Sequence, residues 1–111
     1  MKILNAFSLQ MIEGLGEVNI NIAPIEKKAA KAIIDIVRIE SFIGHADFAK
    51  VLTNELEKEI PFNRANAKLE RGESVLVCQL SGGRLPEGCT TLPENIHINY
   101  YLVEVNYAYE L

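Results

Sequence analysis

The sequence predicts an α/β (α+β) domain in which helices cover a mixed sheet of about five strands. Three observations carry that reading. Val18, Ile20 and Ile22 alternate with polar residues, as a half-buried strand does. Phe48, Val51, Leu52 and Leu56 recur at spacings of three and four, the stripe of an amphipathic helix packed on a core. Val75-Leu76-Val77-Cys78 is a continuous apolar run of the kind that fills an interior strand. At 111 residues the chain reads as one domain, residues 1–111, large enough for a core without disulfides or a metal to staple it.

Lys2-Ile3-Leu4-Asn5-Ala6-Phe7 reads as a short buried strand, and Ser8 stands where an N-cap would open the turn or helix Leu9-Gln10-Met11-Ile12. Gly14 and Gly16 punctuate a turn ahead of the alternating strand Glu17 to Ile22. Pro24 is expected to open a helix from Ile25 to Asp35, with Ala29, Ala30, Ile33 and Ile34 inward and Lys27, Lys28 and Lys31 in water. Ile36 to Glu40 favours extended structure. A second helix is expected from Ala46 to about Lys58, stopped by Pro61. Phe62 to Leu69 reads as a polar-tinged strand or arm, Arg71-Gly72-Glu73 as a turn, and Ser74 to Leu80 as a central strand. Ser81 to Gly88 is a loop with two early glycines and a terminal one. Ile96 to Tyr107 closes the chain as a long strand whose apolar phase changes. Ile96, Ile98, Tyr100 and Leu102 share one face while Val103, Val105 and Tyr107 have the opposite parity, so burial on both faces or a bulge is expected.

Composition narrows the function classes. The residues are 49% hydrophobic and 23% charged, with a net charge of −4, which argues against tracking along DNA or RNA through many Lys/Arg–phosphate contacts. A small anion remains possible, because a few arginines and a helix N-terminus focused in one cleft can hold phosphates on an acidic protein. No apolar run approaches the roughly 20 residues of a membrane span and the first residues lack a signal-peptide core, so a cytoplasmic location is expected. Cys78 and Cys89 have neither redox nor zinc spacing, and Cys78 reads as a buried, inert thiol. His97 alternates with Ile96 and Ile98 and belongs to a polar strand face, leaving no His/Cys metal cluster; no metal and no cofactor are expected.

The candidate chemistry centres on Gly44-His45, at the entrance of the second helix. His45 has two readings: a capping or half-buried structural residue, or a proton donor facing a ligand at the positive helix end. Gly82-Gly83-Arg84-Leu85-Pro86-Glu87-Gly88 follows a buried strand. It is either a solvent-exposed turn or a binding loop whose backbone approaches a ligand while Arg84 and Glu87 project beside it. Arg64 is either a surface charge or a phosphate contact, and Ser8 either a helix cap or a ligand contact. Together these residues suit phosphodiester cleavage without a metal. RNA carries its own nucleophile in the ribose 2′-hydroxyl, so the protein need only align that oxygen, stabilise charge on the phosphate and protonate the departing 5′-oxygen. Arginine's planar fork can bond two phosphate oxygens, and histidine suits proton transfer near neutral pH.

Leu4-Asn5-Ala6-Phe7-Ser8, Ile43-Gly44-His45, Asn63-Arg64, Val77-Cys78-Gln79-Leu80 and Arg84-Leu85-Pro86-Glu87-Gly88, taken in order, resemble the viral anti-CRISPR ring-nuclease family, whose relatives also occur in bacteria and mobile elements. The resemblance runs over nearly the whole chain. It implies a homodimer that binds cyclic tetra-adenylate, the second messenger of type III CRISPR complexes, and cleaves it without metal to linear di-adenylate with 2′,3′-cyclic phosphate ends. It implies His45 as general acid, Arg84 and Glu87 arranging the active site, and Ser8, Arg64, Gly44 and Gly83 as ligand-binding. Gly82-Gly83 makes the loop before Arg84 longer than in some archaeal-virus members. Two other classes of function fit the same residues. One is a protein that sequesters the messenger and needs Arg64 and the glycine loop but not His45. The other is a small regulatory module that binds a protein through its sheet edge, drawing on Tyr100, Tyr101, Tyr107 and Tyr109 near the carboxyl end.

Overall fold

The computed structural model describes residues 1–107 and realises the predicted mixed sheet. Among these residues the elements run β1 (Lys2–Leu4), β2 (Val18–Ile25), α1 (Lys27–Ile36), β3 (Glu40–Phe42), α2 (Ala46–Leu56), β4 (Ser74–Ser81) and β5 (His97–Tyr107), with one 3-10 turn at Leu9–Met11. The strand order is β2-β5-β4-β1-β3. β1 lies parallel to both β3 and β4, with Ile3 opposite Ser41 on one side and Leu76 on the other. β5 pairs antiparallel with β4, Cys78 opposite Tyr100, and with β2, Ile20 opposite Val105.

Both faces of this sheet are covered. Ala30 and Ile34 of α1 and Phe48, Ala49, Val51, Leu52 and Leu56 of α2 pack on Ile3, Leu76, Cys78 and Tyr100. On the opposite face Ala67 and Leu69, from the segment after α2, pack with Leu4, Val75, Val77, Val103 and Val105. This explains the phase change in β5: Tyr100 faces the helices while Val103 and Val105 face the second core, in regular register and without a bulge. Burial pushes the Cys78 thiol up to about 12, which keeps it protonated and unreactive.

Several boundaries differ from the sequence expectation. β1 stops at Leu4, because the chain turns away into the Leu9–Met11 turn that Ser8 caps, its Oγ accepting from the Gln10 amide at 3.3 Å. Pro24 does not open α1; it lies within β2, opposite Tyr101, on an edge strand where a missing N–H breaks no interior ladder. Of the strand or arm expected for residues 62–69 it is the arm that forms, tied down by single bridges, Ile43 with Phe62 and Ile12 with Leu69. α2 ends at Leu56, where Glu57 takes a left-handed conformation with φ 54°. Lys27 pairs with Glu55 at 3.5 Å, and Lys31 pairs with Glu57, so these lysines bind α1 to the end of α2. β5 is interior, with Tyr100 buried and Tyr101 half-buried on it, and Tyr109 lies outside the described residues. No helix among the described residues is long and apolar enough to cross a membrane.

Candidate functional site

The three mutually parallel strands stand side by side in the order β4-β1-β3, and the segments leaving their carboxyl ends line two adjoining cavities. In open sheets of this kind that end of the strands is where ligands are held. The larger cavity, about 800 Å³, is lined by Asn5 after β1, by His45, Ala46, Asp47 and Phe48 after β3, and by Gln79, Leu80, Gly83, Arg84, Leu85 and Glu87 from β4 and its loop. The smaller, about 270 Å³, includes Asn5, Ser8, Gln10, Gly44, Arg64, Asn66 and Lys68. The predicted residues therefore divide. His45, Arg84, Glu87 and Gly83 share one cavity, Ser8, Arg64 and Gly44 share the other, and Asn5 stands in the common wall.

His45 takes the first of its two readings, the helix cap, while lining the larger cavity. It is the N-cap of α2, with extended backbone (φ −133°, ψ 117°), and its Nδ1 accepts the Phe48 amide at 3.3 Å. With Nδ1 occupied as an acceptor, the proton of the neutral ring belongs on Nε2, which stays available to donate to a ligand. Ser8 is likewise a cap that lines a cavity. Its oxygen caps the 3-10 turn, and its hydroxyl proton remains to donate into the smaller cavity.

The arm after α2 is anchored by Asn63. Its amide donates to the Ile43 carbonyl at 2.9 Å and its Nδ2 to the Ser41 carbonyl at 2.8 Å. That double hold places the next residue, Arg64, against Gly44. A Cβ built on Gly44 would sit 3.8 Å from Arg64 Cα and Cγ, ordinary contact, and Gly44 has no left-handed φ. Backbone freedom is not what this position requires. Gly82 is the opposite case: its φ is +89° and a Cβ there would lie 2.5 Å from the Asn95 carbonyl oxygen. Only glycine permits the turn that carries Arg84 off the end of β4. Among the described residues neither Arg64 nor Arg84 forms an ion pair, so two guanidinium groups face the cavities uncommitted.

Sequence reasoning assigned no role to Asn5, Asp47, Gln79 or Lys68, all of which line the cavities. Asn5 and Gln79 fall at the carboxyl ends of β1 and β4, a positional signal that becomes readable only with the strand order. Lys68 donates to the Gln10 carbonyl at 3.0 Å, closing the far side of the smaller cavity. Among the described residues no group of three or more His, Cys, Asp or Glu is placed to hold a metal ion.

Residues 1–103 match the protein family described as STIV B116-like. Protein 26 of the Sulfolobus islandicus filamentous virus (isolate Iceland/Hveragerdi) is 33% identical over 107 residues, covering 93% of this chain and 89% of that protein. Among solved structures, B116 of Sulfolobus turreted icosahedral virus shares the fold, with a TM-score of 0.78 over 92% of this chain and 96% of that one, at 20% identity.

Proposed function

The chain belongs to the STIV B116-like family, and on that footing we propose that it is a metal-independent ring nuclease that opens cyclic tetra-adenylate. One observation carries the reading: His45, Arg84 and Glu87, from two distant stretches of the chain, line a single cavity that adjoins the one lined by Ser8 and Arg64. In the proposed reaction a ribose 2′-oxygen attacks the neighbouring phosphorus and the bond to the 5′-oxygen breaks, giving a 2′,3′-cyclic phosphate. The nucleophile loses one proton and the leaving oxygen gains one, so no water is consumed. The imidazolium form of His45 passes its Nε2 proton to the leaving 5′-oxygen and returns, through proton exchange with solvent, to the neutral ring whose Nδ1 caps Phe48. The proton of the 2′-hydroxyl passes to solvent, Arg84 stabilises charge on the phosphate, and Glu87 orders the loop and the attacking ribose. Arg64 and the Ser8 hydroxyl hold a second part of the ring in the smaller cavity.

Two cuts in one ring call for two half-sites, which a two-fold homodimer supplies. A shallow apolar depression on the second sheet face, lined by Phe7, Ile22, Val77, Tyr101 and Val103, supports this, because Gln79 borders both it and the His45 cavity. A copy seated there would lie beside the cavity. In this reading the protein acts in the host cytoplasm to switch off type III CRISPR signalling, with no cofactor.

The test is incubation with cyclic tri-, tetra- and hexa-adenylate in EDTA, followed by product identification. Multiple-turnover release of di-adenylate with 2′,3′-cyclic phosphate ends is expected from the tetra-adenylate ring. Stoichiometric recovery of intact ring would make the protein a sequestering one, and failure to bind any ring would overturn both readings.

A further inference from the structure

We propose that Asp47 is the positioning residue of this site, a tether that holds the Arg84–Glu87 loop over the His45 cavity. The role assigned to that loop rests on the ring-nuclease reading; the tether itself does not. Asp47 lies two residues after the N-cap His45, in the first turn of α2, and its Oδ2 accepts the Gly88 amide at 2.8 Å across 41 residues of sequence. Gly88 is the hinge of a tight turn. Its φ is +79°, and the Cys89 amide donates back to the Pro86 carbonyl at 3.0 Å, so Glu87 and Gly88 are the two central residues. Holding the Gly88 amide therefore fixes the peptide plane that follows Glu87.

Among the described residues no other hydrogen bond or ion pair holds the Arg84 or Glu87 side chain. The next anchor on the carboxyl side is Asn54 Nδ2 on the Thr90 carbonyl at 3.0 Å, and on the amino side it is Gly82 packed at the Asn95 carbonyl. Asp47 suits the place because a carboxylate in the first helical turn is favoured by the amide dipoles there, and a charged acceptor makes the stronger bond to an amide. One turn of one helix thus carries the proton donor and the clasp for its partners, which locks their separation.

The experiment compares the wild type with Asp47→Ala and Asp47→Asn, reading amide exchange of residues 82–89 and single-turnover cleavage of cyclic tetra-adenylate in EDTA. The asparagine keeps an oxygen acceptor for Gly88 while removing the charge. For Asp47→Ala the loop amides are expected to exchange roughly tenfold faster, with exchange in β4 and β5 unchanged. Cleavage is expected to slow about 10- to 100-fold, chiefly in the rate constant at saturating ring rather than in affinity. Asp47→Asn, which keeps the acceptor but forms the weaker neutral bond, is expected to restore most of both. Unchanged loop exchange in Asp47→Ala would overturn the tether, as would Asp47→Asn behaving like Asp47→Ala. An inactive wild type would overturn the ring-nuclease reading instead, and loop exchange alone would then decide the tether.

Discussion

His45 holds a helix end and, in the proposed mechanism, gives up a proton, and the two tasks use different nitrogens. Nδ1 takes the Phe48 amide, which leaves Nε2 for the ligand. The tasks separate by substitution. His45→Asn retains a side-chain oxygen that caps well, whereas His45→Ala leaves the Phe48 amide without its acceptor, a loss of about 1 kcal/mol. Both are expected to lose cleavage by about 10²- to 10⁴-fold, the usual worth of general acid catalysis. Denaturant midpoints should then fall for the alanine variant alone, while ring binding survives in both. An active His45→Asn would remove the imidazole from the chemistry. At this scale the sequence was informative about residue type and poor about partnership. A histidine before an apolar stripe announces a helix entrance, but the clasp between Asp47 and Gly88 spans 41 residues and has no local signature.

The two helices were readable because each must bury one stripe, and α2 does so with the four apolar residues that defined it. Their ends were less readable. Pro61 suggested where α2 must stop, yet the chain leaves the helix earlier, at Glu57, in a left-handed conformation that costs a side chain roughly 1–2 kcal/mol. Glu57→Gly removes that cost and forfeits the exposed pair with Lys31, which is worth about 0–1 kcal/mol. Relief of the backbone outweighs the lost pair, so Glu57→Gly is expected to raise stability by up to about 1 kcal/mol, seen as a higher melting temperature. A lower one would show that the Lys31 contact matters more than the backbone. Pro24 misled for a related reason. Its fixed φ suits a helix start and an edge strand equally, and only the strand order reveals that β2 is an edge.

For the whole molecule, the alternation in β2 and the unbroken apolar run in β4 announced a mixed layered sheet, because those patterns report how many faces of a strand are buried. What they could not announce was which loops meet, since parallel neighbours β3, β1 and β4 are far apart in sequence. The proposed association of two copies belongs to this scale. Ile22 is 57% exposed on edge strand β2 and borders the apolar depression on the second face. Ile22→Glu is expected to leave the fold intact and convert a dimer to a monomer by light scattering, with cleavage falling in step. A wild type that stays monomeric at micromolar concentration, or an Ile22→Glu protein that remains dimeric, would take the interface elsewhere.

In the proposed reading, the wall at Asn5 works as a gauge. Asn5 follows β1 and lines both cavities, so the segments carrying Ser8 and Arg64 and those carrying His45, Arg84 and Glu87 are spaced by the parallel strands they leave or pack beside. A covalently closed ligand can satisfy both cavities only if its circumference matches that spacing. A smaller ring is then expected to fill one cavity at a time, and a larger one to bind with its scissile phosphate out of line, so circumference selects at the chemical step more sharply than at binding.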